Sequence, residues 1–253
     1  MRLNHKTAII TGASRGIGRA IALGFAKQGA KVVVASNEPA EAGSQVVDEI
    51  QAAGGEAIYV VCDVSDAAQV NAMVDAAVAR FGQVDILVNN AGICPFHEFL
   101  TMPLELWERV TDVNQKGTFL CSQAVAKHMV ERGIQGRIVS TSSIGAWVGG
   151  AMQVHYCPTK AAIENMMKSM AVALGPHGIT CNAVLPGAIE TDINREDLSD
   201  AAKREYFINR TPVRRLGQPE DLVEAYLFFA CEESYFVTGS SLLVDGGMFV
   251  NLQ

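Results

Sequence analysis

Residues 7–18 read T-A-I-I-T-G-A-S-R-G-I-G: a short β-rich run breaks directly into a glycine-rich turn, and Ile17, Ile21 and Phe25 then recur at helical spacing. Gly12, Gly16 and Gly18 stand in the pattern G-x-x-x-G-x-G. Glycine allows a tight turn and lets a ligand approach the backbone closely. The amino end of the helix that follows attracts a pyrophosphate, because its first N–H groups lack intrahelical partners. A glycine-rich turn alone is a weak signal, but between a strand and a helix at the start of a chain it is a strong one.

Outward from this unit the same alternation continues. Apolar β-rich runs recur at 31–35 (K-V-V-V-A), 57–61 (A-I-Y-V-V), 84–88 (V-D-I-L-V), 136–141 (G-R-I-V-S-T), 179–185 (I-T-C-N-A-V-L) and 241–244 (S-L-L-V). The stretches between them have helical spacing, as in Val70, Met73, Val74 and Ala77, and long helices are expected around Met102–Arg132 and Gln153–Gly175. Continuous apolar strands imply a sheet buried on both faces, and interleaved helices imply parallel crossovers. The expectation is an α/β, Rossmann-type doubly wound parallel sheet of about seven strands. No linker, repeat or low-complexity segment divides the chain, so residues 1–253 are read as one domain. Its nucleotide half runs to about 115 and its catalytic half spans about 116–253. A polar insertion at about 186–217, after the sixth strand, is expected to form a lid with a short helix near Ala201–Asn209.

Composition narrows the function classes. The chain has 20 basic and 27 acidic residues, a net charge of −7, and no basic stripe, which gives nucleic-acid or anionic-membrane binding no support. No run approaches membrane-span length, and the start M-R-L-N-H-K-T-A has no apolar signal core. The six cysteines lack CxxC spacing, so no metal site is expected, and they read as reduced thiols of a cytoplasmic protein.

The chemistry is carried further along. Tyr156 and Lys160 are four residues apart in Y-C-P-T-K, so they share one helix face, and Ser143 lies thirteen residues upstream. A phenol normally titrates near pH ~10. A neighbouring ammonium favours the phenolate and is expected to bring Tyr156 toward its working pH as a general acid–base. Ser143 can hydrogen-bond the same substrate oxygen. The trio describes proton handling at a carbon–oxygen bond.

With T-G-A-S-R-G-I-G at 11–18, C-D-V at 62–64, N-N-A-G at 89–92, Asn114, Ser143, Tyr156, Lys160 and P-G-A-I-E-T at 186–191, the chain resembles the short-chain dehydrogenases/reductases over nearly its whole length. The resemblance implies that Gly12, Ser14, Arg15, Gly16, Ile17 and Gly18 cradle a nicotinamide dinucleotide. Asp63 and Val64 would border the adenine, and Asn90, Ala91 and Gly92 would support the sheet and the adenosine ribose. Pro186, Gly187, Ile189 and Thr191 would meet the nicotinamide. It also implies that Lys160 binds the nicotinamide ribose and that Asn114 takes part in a proton relay to Lys160. At the end of the second strand, Ser36 and Asn37 stand where a carboxylate would repel a 2′-phosphate, and Arg15 can meet that phosphate. NADP is therefore the expected cofactor, with NAD also usable.

Four loop stretches, at 90–100, 149–156, 184–200 and 241–253, resemble the branch of the family that oxidises L-rhamnose at C1. That implies a small-molecule sugar substrate, with Gln153, His155 and Asn194 as candidate polar partners and Phe96 and Trp147 as candidate apolar walls. Reduction of a 3-oxoacyl thioester on acyl carrier protein, oxidation of another aldose, and a silent NADP-binding sensor are the alternatives. The family resemblance implies a homotetramer of 222 symmetry or a homodimer. The apolar tail F-V-N-L-Q is expected to pack against a neighbouring subunit.

Overall fold

A computed structural model describes residues 1–251. Strand β1 (Thr7–Thr11), helix α1 (Gly16–Lys27), β2 (Lys31–Ser36), α2 (Ala40–Ala52), β3 (Glu56–Val61) and α3 (Ala67–Phe81) form the first half. The second half contains β4 (Ile86–Asn89), α4 (Leu104–Thr111), α5 (Gly117–Arg132), β5 (Arg137–Thr141), α6 (Cys157–Leu174), β6 (Thr180–Pro186), α7 (Ala201–Arg210), α8 (Val223–Ala230) and β7 (Ser241–Val244). Among the described residues seven strands make one sheet in the order β3-β2-β1-β4-β5-β6-β7, and every neighbouring pair is parallel. This is the doubly wound α/β sheet expected from the sequence. The direction of winding reverses between β1 and β4, and that reversal opens a crevice at the carboxyl ends of the strands.

Alternate strand residues serve opposite faces. Ile10, Val32, Val34 and Val88 pack with Ile21 and Phe25 of α1 and with Tyr226 and Phe229 of α8. Ile9, Val33, Leu87 and Ile138 pack with Met73 of α3, Val125 and Met129 of α5 and Met167 of α6. Each such side chain taken fully from water contributes about 1.5–3 kcal/mol, so both layers hold the crevice in a rigid frame.

Two elements differ from the sequence reading. The helix expected over Met102–Arg132 is split into α4 and α5 by a π-turn at Asp112–Lys116, which contains Asn114. Just past it, Gly117 lies so close to Val64 that a Cβ would stand 2.6 Å from its Cγ2, so a side chain has no room there. The helix expected from Gln153 starts only at Cys157, because 150–156 closes a tight turn in which Gln153 N donates to Gly150 O and Tyr156 N to Gln153 O. The insertion after β6 carries α7 and returns at its base through a bridge between Ile189 and Gly217.

Candidate active site

A cleft of about 1570 Å³ lies along the carboxyl ends of the strands, and the glycine-rich turn forms one end of it. Gly12 (φ +63°) would place a Cβ 2.8 Å from Ala91 Cα, and Gly18 would place one 2.2 Å from the Gly12 carbonyl oxygen. Neither position tolerates a side chain. Asn90 braces this turn, its Nδ2 donating to the carbonyls of Thr11 (3.0 Å) and Gly12 (3.1 Å). Helix α1 has no side-chain cap and no acidic residue in its first turn, so its amino end meets the cleft with free N–H groups.

At the end of β2, Ser14 donates to Ser36 Oγ (3.1 Å), which also accepts from Glu38 N (3.0 Å). Arg15 was expected to stand ready for a phosphate. It is paired instead with Glu38 at 3.0 Å and faces Asp192 of the insertion at 3.8 Å. The first carboxylate beyond β2 turns back toward the turn, with its backbone held by the Tyr59 hydroxyl, which donates to Glu38 O at 2.6 Å. Asp63 and Val64 line the cleft, but the Asp63 carboxylate is engaged by Ser65 N and Oγ at 2.9 and 2.7 Å. Asn37, Pro186, Gly187, Ile189 and Thr191 line the same cleft.

Ser143, Tyr156 and Lys160 are brought together on its floor by β5 and the start of α6. Ser143 follows β5 and its Oγ accepts from Gly145 N at 3.0 Å. Tyr156 is the residue preceding α6, and Lys160 lies one turn inside it. Lys160 Nζ does not pair with the phenol. It donates to the Thr141 carbonyl at 2.8 Å and stands 5.5 Å from the Tyr156 ring centre. Burial pushes the Tyr156 phenol well above its ordinary range, opposed by a hydrogen bond with Ser143. Burial lowers Lys160 to about 8. Both groups are thus desolvated together, and the ammonium donates to a carbonyl and not to the phenol oxygen. Asn114 is fully buried; its Oδ1 accepts from Ile93 N (2.8 Å) and its Nδ2 donates to Ile93 O (3.0 Å) and Thr159 Oγ1 (3.2 Å). It ties the loop after β4 to α6 beside Lys160.

Of the residues considered for substrate contact, Phe96, Gln153 and Asn194 line the cleft. Asn194 spends its amide on its own loop, donating to Ile189 O (2.8 Å) and accepting from Thr191 N (2.9 Å). Trp147 does not line the cleft: its indole N–H donates to Glu164 at 2.7 Å and its ring backs Phe249, with centroids 5.2 Å apart. Phe249 is the aromatic face the cleft meets. His155 is buried behind the wall, its Nε2 at 2.6 Å from Pro95 O.

Residues 12–249 match the family model described as enoyl-(acyl carrier protein) reductase. A solved short-chain type dehydrogenase/reductase from Mycobacterium marinum superposes with a TM-score of 0.93 at 40% identity, covering 97% of this chain and 96% of that one. The chain belongs to the short-chain dehydrogenases/reductases. Among curated relatives of this dehydrogenase/reductase, the L-rhamnose 1-dehydrogenase (NAD(P)(+)) of Azotobacter vinelandii is 54% identical over the whole of both chains. The protein of the same name from Sphingomonas sp. is 52% identical over 99% of each.

The close-packed glycines of the turn and the uncapped α1 of this dehydrogenase/reductase fit a dinucleotide pyrophosphate. Among the described residues no cluster is placed to hold a metal, and no helix is long and apolar enough to cross a membrane. Sequence reading missed Cys94 and Phe249 in the lining and the Thr141 carbonyl that holds Lys160. A backbone acceptor carries no residue-type signal. Within the chain, the tail that supplies Phe249 is held by Asn251 Nδ2, which donates to Arg210 O at 2.8 Å. Leu252 and Gln253 lie outside the described residues.

Proposed function

We propose that this protein oxidises L-rhamnose at C1 to L-rhamnono-lactone, with NADP preferred and NAD accepted. The observation that carries the reading is the placement of Ser143, Tyr156 and Lys160 together on the cleft floor, in a chain 54% identical to a named L-rhamnose 1-dehydrogenase. Gly12, Ser14, Gly16, Ile17 and Gly18 receive the pyrophosphate. Ser36, Asn37 and Arg15 meet the adenosine ribose and its phosphate. Pro186, Gly187, Ile189 and Thr191 meet the nicotinamide.

The nicotinamide cofactor, when bound, supplies the acceptor for the hydride that C1 gives up as its C–O bond becomes a carbonyl. Ionised Tyr156 takes the proton of the anomeric hydroxyl, and Ser143 hydrogen-bonds the same oxygen, so both act where charge changes. Lys160, with a pKa of about 8, carries its positive charge at neutral pH and favours the phenolate through the field it adds. Asn114 holds the Ile93 loop against α6 and so fixes Lys160's surroundings for proton relay. Phe96 and Phe249 give the sugar methyl an apolar wall, and Gln153 gives a hydroxyl a polar partner.

The insertion at 186–217 acts as the lid over this sugar, since Asp192, Asn194, Lys203, Phe207 and Arg210 face the cleft. The protein works in the cytoplasm as a homotetramer or homodimer. Exposed Phe99, Leu100, Leu104 and Trp107 beside α4 support self-association.

The test is cofactor reduction by purified protein across a panel of aldoses and secondary alcohols. L-rhamnose is expected to give the highest kcat/KM, with NADP ahead of NAD. Inactivity on L-rhamnose together with reduction of acetoacetyl thioesters would replace the sugar reading with 3-oxoacyl reduction.

A further inference from the structure

The loop after β4 is stitched to the turn ahead of α6 at three places. His97 N donates to Met152 O at 3.1 Å, Gln153 Nε2 to Cys94 Sγ at 3.2 Å, and the third link joins His155 Nε2 to Pro95 O at 2.6 Å. The last is the shortest and the least expected. A carbonyl oxygen only accepts, so Nε2 carries the proton in this contact. Nδ1 is then a bare acceptor, and it is buried without a partner, in a residue only 1% exposed. An aromatic ring of similar size would fill the same space without leaving a buried nitrogen unpaired. Packing therefore does not account for histidine here, whereas the bond to Pro95 does.

That bond joins two parts of the site. Pro95 lies between Cys94 and Phe96, both of which line the cleft, and His155 is the residue before Tyr156. Of the three links, this one ties the wall that faces the substrate to the residue next to the phenol. We propose that His155 is a positioning residue for substrate specificity: by holding the Pro95 carbonyl, it places Phe96 to meet the methyl end of a 6-deoxy sugar while Tyr156 addresses C1. This rests on the sugar reading above. His155 takes no part in proton transfer.

Three full-length variants test it. His155→Phe keeps the ring and removes the donor. His155→Gln offers an amide nitrogen with reach comparable to Nε2, and His155→Asn falls short of it. Because the wall binds ground state and transition state alike, its displacement raises KM with little change in kcat. His155→Phe and His155→Asn are expected to raise KM for L-rhamnose by about tenfold, with kcat within about twofold of wild type. Their preference for L-rhamnose over L-mannose, which carries a hydroxyl on C6, falls by a similar factor, and His155→Gln restores both values. Amide hydrogen exchange of the peptide covering 93–97 is followed in the same proteins without substrate. It is expected to quicken in His155→Phe and His155→Asn and not in His155→Gln.

Wild-type KM and selectivity in all three variants would overturn the proposal, as would loss of kcat and KM alike in His155→Gln. If His155→Phe does not fold, the contrast between Gln and Asn decides. If the wild-type protein oxidises no aldose, the sugar reading fails by itself. The hydrogen-exchange comparison then stands alone, and equal exchange in all three variants and the wild type would end the clamp as well.

Discussion

The Lys160 ammonium donates to the carbonyl of Thr141 at 2.8 Å, and the lysine is only 3% exposed. A cation in that position is stripped of water and repaid by one dipole, which is why its pKa falls to about 8. The consequence for stability has a definite sign. A lysine with a folded pKa below its unfolded value of ~10.4 binds fewer protons when folded, so stability rises with pH between the two values. Between pH 8 and pH 10 the wild-type protein is expected to gain about 2 kcal/mol relative to Lys160→Met. Thermal melts of both proteins across that range, without cofactor, read the difference. A constant gap in Tm would mean that Lys160 is not desolvated.

Tyr156→Phe removes the phenol and leaves the ring. General acid–base groups contribute a factor of ~10²–10⁴, so kcat is expected to fall by about a thousandfold while nucleotide binding, followed by fluorescence titration, persists. Ser143→Ala probes the same oxygen. The hydrogen bond with Ser143 opposes the upward push of burial on the phenol, so its loss raises the pKa further. In the oxidation direction the rising limb of the kcat/KM–pH profile then moves to higher pH. An unmoved limb would separate Ser143 from the titrating group.

Cofactor choice turns on the pair Arg15–Glu38. At 3.0 Å, with side chains 63% and 23% exposed, Glu38 occupies part of the guanidinium that a 2′-phosphate would use. Exposed pairs of this kind are worth ~0.2–1 kcal/mol. Glu38→Gln is accordingly expected to raise the NADP-to-NAD ratio of kcat/KM by roughly two- to fivefold, and Arg15→Gln to lower it. Opposite movement in either variant would place the phosphate elsewhere.

The frame was legible because its signals are local and redundant. Each β-rich run became a strand in one sheet, and the run of Ile9 and Ile10 reads as a two-faced strand with no knowledge of its neighbours. The turn at Gly12–Gly18 was legible because only glycine fits where a Cβ would meet the backbone. Pairings between charged side chains were not legible. Arg15 looked free because Glu38 lies twenty-three residues away and only the fold brings them together. Trp147 was misplaced for a related reason: its position is set by Glu164 on α6, a partner no spacing announces. The π-turn at Asn114 was not legible either, since no residue spacing announces it.

Glu164 itself offers the last test. Its carboxylate is nearly buried and accepts from Trp147 Nε1 (2.7 Å), Ser241 Oγ (2.9 Å) and Lys168 Nζ (3.1 Å). It therefore joins α6, the turn after Ser143 and β7, and through Trp147 it backs Phe249 at the cleft wall. Burial alone would raise its pKa, but the hydrogen bonds from Lys168, Ser241 and Trp147 outweigh that and hold it below the ordinary glutamate value. A depressed carboxylate lends stability above its unfolded pKa of ~4.3 and loses that contribution as the pH falls through its folded value. Glu164→Ala leaves the indole N–H and the Ser241 hydroxyl without their acceptor, at a cost of about 2–4 kcal/mol for the pair. Its Tm at pH 7 is expected to drop by several degrees, and the deficit should shrink below about pH 4 as the wild-type carboxylate takes up its proton. Trp147→Phe removes one donor while keeping a ring against Phe249, so it should lose less stability than Glu164→Ala. A deficit that stays constant from pH 7 into acid would show that the glutamate acts there by its size and not by its charge.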